Sequence, residues 1–191
     1  KKKISFKLMY TNKTICIFCS SSNKINKKYL TQAYKLGKLL AEKNIICLNG
    51  GGVDDQGSMA QLNKAIYDNN GINISIIHEL WIDKNNYKKH HHLKEEIILS
   101  NHDLSERKKI MRDKSDAFII LPGGTGTIDE MMEIIELKKS GFMKKDIIIV
   151  NTDGFYDPII NFLKLLYKEK FMKQNINDII TIINDLDQIS F

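Results

Sequence analysis

The chain has 191 residues, 42% hydrophobic and 27% charged, with two prolines and three cysteines. That length suits one packed domain, the apolar content excludes general disorder, and so few cysteines exclude a disulfide scaffold. Net charge is +6, but 27 of the 29 basic residues are lysine in a chain also loaded with isoleucine and asparagine; these three residues share A/T-rich codons, which weakens the charge as an argument for nucleic acid.

In chain order, Lys1–Asn12 reads as a basic N-terminal extension, and Lys1–Tyr10 lacks the apolar core of a signal peptide. The predicted strands are Thr14–Cys19, Ile45–Asn49, Asn73–His78, Glu96–Leu99, Ala117–Leu121, Asp146–Asn151 and Ile179–Ile183. Helical patterns fill the gaps at Lys28–Lys43, Gln56–Asn69, Leu104–Lys114, Ile128–Lys139 and Phe155–Phe171, with a short helix after Asn184. In the first helix Leu30, Ala33, Gly37 and Leu40 recur at helical spacing. Runs such as Phe118–Leu121 and Ile147–Val150 are apolar on both faces, as strands covered on both sides require. The alternation predicts an α/β fold, a three-layer doubly wound parallel sheet of about seven strands, Rossmann-like, in a single domain over 1–191. No apolar run approaches the ~20 residues that cross a bilayer. The expectation is a soluble cytoplasmic protein engaging neither membrane nor nucleic acid.

The Asp83–Lys94 segment breaks the rhythm and carries His90, His91 and His92. No partner ligands at metal-site spacing accompany them, so a surface loop is the plainer reading. Cys16 and Cys19 form a Cys-x-x-Cys, but along a strand rather than at a helix start, and read as buried thiols. Trp81 and Tyr87 are loop aromatics that suit contact with a ligand, although such residues more often pack locally.

Ligands of doubly wound sheets bind beyond the carboxyl ends of the strands. Three such ends expose backbone: Cys19-Ser20-Ser21-Ser22, Gly50-Gly51-Gly52, and Pro122-Gly123-Gly124-Thr125-Gly126-Thr127. In the last, proline ends the strand and glycines admit close approach of a ligand. The hydroxyls of Thr125 and Thr127 then fall where a helix begins and an anion such as phosphate is favoured. No Gly-Lys-Ser/Thr follows the glycines and no G-x-G-x-x-G follows the first strand, so neither a P-loop nor a nicotinamide fingerprint is present. Thr127-x-x-Glu130 has the spacing of a capping box, and on spacing alone that reading leads. A carboxylate beside a phosphate site also has a chemical use, since it stabilises positive charge developing on a sugar during glycosidic cleavage. The only two arginines, Arg107 and Arg112, fall in one short segment. Arg107 reads equally as a solvated member of a basic run or as a guanidinium placed for its several donors.

At these residues the sequence resembles the LONELY GUY family, whose members are often mislabelled lysine decarboxylases. The resemblance runs from about Thr14 to Ile183. It rests on Pro122–Glu130 as P-G-G-x-G-T-x-x-E, on Arg107-Lys108 with Met111 and Ser115-Asp116-Ala117-Phe118, on the triple glycine, and on Asn151–Tyr156. It implies a phosphoribohydrolase that splits nucleoside 5′-monophosphates, N6-prenylated AMP or AMP, into free base and ribose 5-phosphate, with no cofactor and no metal. By resemblance the catalytic pair is Arg107 and Glu130. Substrate and phosphate contacts fall on Ser21, Gly51, Gly52, Lys108, Gly123, Gly124, Thr125, Gly126 and Thr127, and the protein is a homodimer. The sequence departs from the family at Ser20, at the Val53-Asp54-Asp55-Gln56 spacer and at Gly57-Ser58-Met59-Ala60. Decarboxylation would need a Schiff-base lysine with a pyridinium partner, and no such constellation is legible. A non-catalytic nucleotide or molybdenum-cofactor carrier is the alternative.

Overall fold

Alternate residues of the central strands enter opposite cores, as the two-residue repeat of a strand dictates. Cys16, Phe18, Phe118, Ile120, Ile147 and Ile149 join one apolar cluster, while Ile15, Ile17, Ala117, Ile119, Ile148 and Val150 join the other. The protein is represented by a computed structural model that describes residues 13–52, 57–82, 94–100, 103–189 and 191. Lys1–Asn12, the Val53–Gln56 spacer and most of the Asp83–Lys94 loop, with Tyr87 and the three histidines, lie outside the described residues.

The strands are β1 (Thr14–Phe18), β2 (Ile46–Asn49), β3 (Asn73–His78), β4 (Glu95–Leu99), β5 (Ala117–Ile120), β6 (Asp146–Val150) and β7 (Thr181–Ile183). They form one sheet in the order β4-β3-β2-β1-β5-β6-β7, and every pairing is parallel. The helices are α1 (Lys27–Glu42), α2 (Gly57–Asp68), α3 (Leu104–Asp113), α4 (Thr125–Lys139), α5 (Asp157–Lys168) and α6 (Ile176–Ile179). Residues of α1 and α2 fill the second cluster, and residues of α3 to α6 fill the first, so the sheet is covered on both faces. This is the doubly wound, Rossmann-like architecture expected. α1 and α2 approach closely because Gly37 has no side chain; a Cβ there would stand 2.6 Å from the Leu62 carbonyl oxygen. The strand order reverses between β1 and β5, and a crevice opens at such a switch point.

Several boundaries differ from the expectation for identifiable reasons. α4 starts at Thr125 rather than at Ile128, because Gly124 takes the extended cap conformation (φ −87°, ψ −160°) and the next three residues become the first turn. The last strand is shorter than predicted. Asn175 caps α6 by accepting from the Asn177 amide at 3.0 Å, which draws Ile176–Ile179 into a helical turn. After Asn184 the short helix is a 3₁₀ turn, Leu186–Gln188, closed by a capping box from Asp185.

Candidate active site

The loops after β1, β2 and β5 meet over the switch point and enclose a cavity of about 550 Å³, within the range of about 300–1,000 Å³ usual for small-molecule sites. Its lining takes Cys19, Ser20, Ser21 and Ser22 from the first loop and Gly50 and Gly52 from the second. Gly124, Thr125, Gly126, Thr127 and Glu130 come from the start of α4, with Met59, Trp81 and Arg107 completing the wall. A second hollow of about 470 Å³ lies at the opposite ends of the strands, around Asp116, Phe142 and Asp146.

Each loop is held by its own local chemistry. Ser20 accepts from the Ser22 amide at 3.1 Å, and its carbonyl accepts from the Met59 amide at 3.1 Å, tying the first loop to α2. The β5 end is propped from below. Tyr156, fully buried, donates its hydroxyl to the Leu121 carbonyl at 2.8 Å, and Asn151 accepts from the Tyr156 amide at 2.7 Å. Burial and the nearby Cys19 push the Tyr156 phenol above its ordinary value, so it stays a neutral donor. α4 has no acidic residue in its first turn and two lysines in its last. The first-turn amides have no intrahelical acceptor, so the positive end of the helix dipole faces the cavity without a compensating charge.

The β2 loop rests on a buried amide network. The Asn49 carboxamide nitrogen donates to Asn63 Oδ1 (2.7 Å) and to Asn73 Oδ1 (3.1 Å), and Asn73 donates to the same Asn63 oxygen (2.7 Å). Asn63 in turn donates to the Gly51 carbonyl at 2.6 Å, and Asn49 Oδ1 accepts from the Gly51 amide (2.9 Å) and from Ser75 Oγ (3.1 Å). Both polar groups of Gly51 are thereby fixed from inside the protein.

Arg107 and Glu130 form the centre. Arg107 projects from α3 with a side chain only 9% exposed. Its Nε donates to the Ile76 carbonyl at 2.9 Å, Nη1 to Glu130 Oε1 at 3.1 Å, and Nη2 to the Gly50 carbonyl at 3.4 Å. The guanidinium also lies beneath the Trp81 ring, 4.9 Å from its centroid. Glycine at position 50 leaves room for this guanidinium, because a Cβ there would push Arg107 Nη2 aside. Glu130 is not a capping residue. Gly124 is the cap and makes no side-chain bond, Thr127 is the third helical residue, and Glu130 is turned instead to the guanidinium. Burial pushes the Glu130 carboxyl above its ordinary value, with Arg107 pulling the other way without cancelling it.

The other sequence candidates separate. Ser21, Gly52, Gly124, Thr125, Gly126 and Thr127 line the cavity. Lys108 stands outside that lining, its Nζ 3.0 Å from Asp129 and 2.7 Å from Glu133. Gly51 and Gly123 also stand behind the wall; their missing Cβ atoms would meet Ile77 and Thr127. Arg112 pairs with Glu133 at 2.9 Å and so helps fasten α3 to α4. Sequence reasoning missed the asparagine network and the cavity role of Met59, whereas Gly50, Ser20 and Ser22 fall in the strand-end segments it marked. The asparagines left no distinctive signal in a chain where that residue is abundant, whereas Gly50 was marked by the triple glycine.

The family model described as "Possible lysine decarboxylase" matches residues 59–190. A probable cytokinin riboside 5′-monophosphate phosphoribohydrolase of Oryza sativa subsp. japonica is 32% identical over 171 residues, covering 88% of this chain and 66% of its own. This chain therefore spans just under two thirds of that relative. A cytokinin riboside 5′-monophosphate phosphoribohydrolase of Arabidopsis thaliana is 32% identical over 169 residues, covering 87% of this chain and 74% of its own. Among solved structures, the molybdenum cofactor carrier protein of Chlamydomonas reinhardtii superposes with a TM-score of 0.65 at 16% identity, covering 92% of each chain. The molybdenum cofactor binding protein of Rippkaea orientalis gives 0.63 at 22% identity, covering 92% of this chain and 91% of its own. At these identities the likeness is one of fold.

Proposed function

The chain belongs to the LOG family of phosphoribohydrolase relatives, which the "Possible lysine decarboxylase" model also describes, and from that premise we propose that it hydrolyses the N-glycosidic bond of a nucleoside 5′-monophosphate. Water and AMP, or its N6-modified form, give the free base and ribose 5-phosphate. The observation that carries this reading is the Arg107–Glu130 pair, which faces a cavity that also opens on the bare amino end of α4. In this reading the phosphate sits on the first-turn amides of α4 and the hydroxyls of Thr125 and Thr127, with Ser21 and Gly52 opposite. Holding the phosphate, remote from the reacting bond, fixes the sugar for reaction.

Glu130, as the carboxylate, faces the anomeric carbon and stabilises the positive charge that develops as the base departs. It also orients the attacking water. Arg107 offsets part of the cost that burial places on ionising Glu130 and, itself fixed by the Ile76 and Gly50 carbonyls, sets the carboxylate's direction. Lys108 acts at second hand, by holding α4 through Asp129 and Glu133. Among the described residues no lysine lines the cavity, so none of them offers a pyridoxal Schiff base an attachment there.

A homodimer and a cytoplasmic location belong to the same reading. The free, buried Cys16, Cys19 and Cys47 suit a reducing compartment, and among the described residues no helix is long and apolar enough to cross a membrane. The test is chromatography of AMP and N6-isopentenyl-AMP incubated with the purified chain. Free base and ribose 5-phosphate are expected in equal amounts, and lost on Glu130→Gln. No release of base from either nucleotide across several pH values refutes the reading.

A further inference from the structure

Contacts order the cavity from end to end. Thr127 and Glu130 lie three residues apart on α4, Glu130 is bonded to Arg107, and the Arg107 guanidinium lies against the Trp81 ring. A nucleoside 5′-monophosphate has a matching order: an anionic phosphate, the sugar with its scissile bond, and a flat, largely apolar base. With phosphate at the start of α4 and the anomeric carbon at Glu130, the base falls on the side of Trp81.

The lining changes character there. The glycine, serine and threonine rim gives way to Met59 and Trp81, the large apolar side chains of the wall. Trp81 is 48% exposed although it belongs to an ordered 3₁₀ turn, Glu79–Trp81. That turn is fixed where it leaves the sheet. The buried His78 accepts from the Leu80 amide through Nδ1 at 3.1 Å, and its ring stands edge-on to the indole at 6.0 Å. An exposed aromatic held on a fixed turn, beside the groups expected to face the glycosidic bond, is suited to receive a planar ring. Stacking of a base on such a surface tolerates any base but favours the larger ones.

We propose that Trp81 is the nucleobase-binding wall of this cavity and sets its preference for a purine nucleotide. The proposal rests on the phosphoribohydrolase reading and adds the residue that selects the base. Its test is direct because Trp81 is the chain's only tryptophan, so indole emission reports on this position alone.

Titration with AMP should quench the emission to saturation. Ribose 5-phosphate should leave it unchanged while competing with AMP. Trp81→Leu should raise the KM for AMP about tenfold, the loss expected of one stacking contact, and leave inhibition by ribose 5-phosphate within twofold of wild type. Trp81→Phe should recover most of the loss. The proposal is overturned, with the functional reading intact, if Trp81→Leu keeps the wild-type KM for AMP. It is equally overturned if AMP saturates the protein in equilibrium dialysis with no change in emission, or if AMP and ribose 5-phosphate lose affinity together, since Trp81 would then act only through Arg107. Failure of the wild-type protein either to bind or to hydrolyse AMP and N6-isopentenyl-AMP overturns the functional reading and this proposal with it.

Discussion

Replacing Arg107 by lysine separates charge from geometry at the centre of the site. The guanidinium reaches three acceptors on three different elements: the Ile76 carbonyl in β3, Glu130 in α4 and the Gly50 carbonyl after β2. An ammonium is a single point on a flexible stem and cannot span that fan. In Arg107→Lys the ion pair with Glu130 is retained, while the carbonyls of Ile76 and Gly50 lose their donor. A hydrogen bond from a charged group contributes roughly 1.5–3 kcal/mol, and the Gly50 contact, at 3.4 Å, belongs at the weak end of that range. A loss of about 3 kcal/mol follows, which for a chain of this size lowers Tm by about 6–12 °C. The Gly50 loop and the Glu130 carboxylate also lose their common tether. Misplacement on the order of 1 Å costs about 100-fold in rate, so AMP hydrolysis should fall by about that factor. Calorimetry and chromatographic turnover read the two effects separately. If Arg107→Lys melts within about 2 °C of wild type and turns over at the wild-type rate, a bare positive charge suffices and the multi-donor argument is wrong.

Two further outcomes follow from the same geometry. Burial raises the Glu130 carboxyl above its ordinary value, so between the unfolded and folded values the native protein holds the extra proton, and stability must fall as pH rises through that window. The urea midpoint of wild type should therefore decline relative to Glu130→Gln as pH climbs just above the usual glutamate range, while base release appears over the same interval; parallel midpoints would show that the carboxyl titrates normally. Asn63→Ala leaves the Gly51 carbonyl and the Asn73 carboxamide nitrogen without the partners they now have, each costing about 1–3 kcal/mol. A drop of about 3 kcal/mol in urea unfolding and a raised KM for AMP are expected, and an unchanged midpoint would show that the network carries no load.

How far the sequence could be read depended on whether a residue's role was local. Strand-helix alternation and the two-sided apolar runs of β5 and β6 specify a covered parallel sheet, because burial on both faces leaves its mark on every residue. Arg107 was detectable because arginine is scarce here. Its occurrence in a basic run suggested solvent exposure, yet it is buried under the β3 and β2 carboxyl ends. Glu130 shows the limit of spacing. Thr-x-x-Glu describes a capping box only if threonine is the cap, and here Gly124, four residues before Ile128, takes the extended cap conformation instead. The Asn49–Asn63–Asn73 network was illegible for a different reason. Its members come from β2, α2 and β3 and meet only after the sheet has assembled, and asparagine is too common in this chain for any one to stand out.

The fold alone would suit a carrier as well as an enzyme, since proteins that hold molybdenum cofactor share it. A carrier and an enzyme differ in what they need from the central pair. A buried ion pair is weak evidence of stabilisation, because desolvating two charges offsets much of their attraction. Here the carboxyl of Glu130 remains harder to ionise than in water even with a guanidinium 3.1 Å away, so the fold gains little from keeping it charged. A glutamine would accept the same bond from Arg107 without the cost of ionisation. A carrier that needed only a phosphate cradle would have that in the start of α4 and the serine loop. What a carboxylate adds is an anion already oriented before any positive charge appears, on a side chain only 14% exposed, where its field is less screened than at the surface. That function pays its way only if positive charge develops on the bound molecule, as it does on a sugar losing its base.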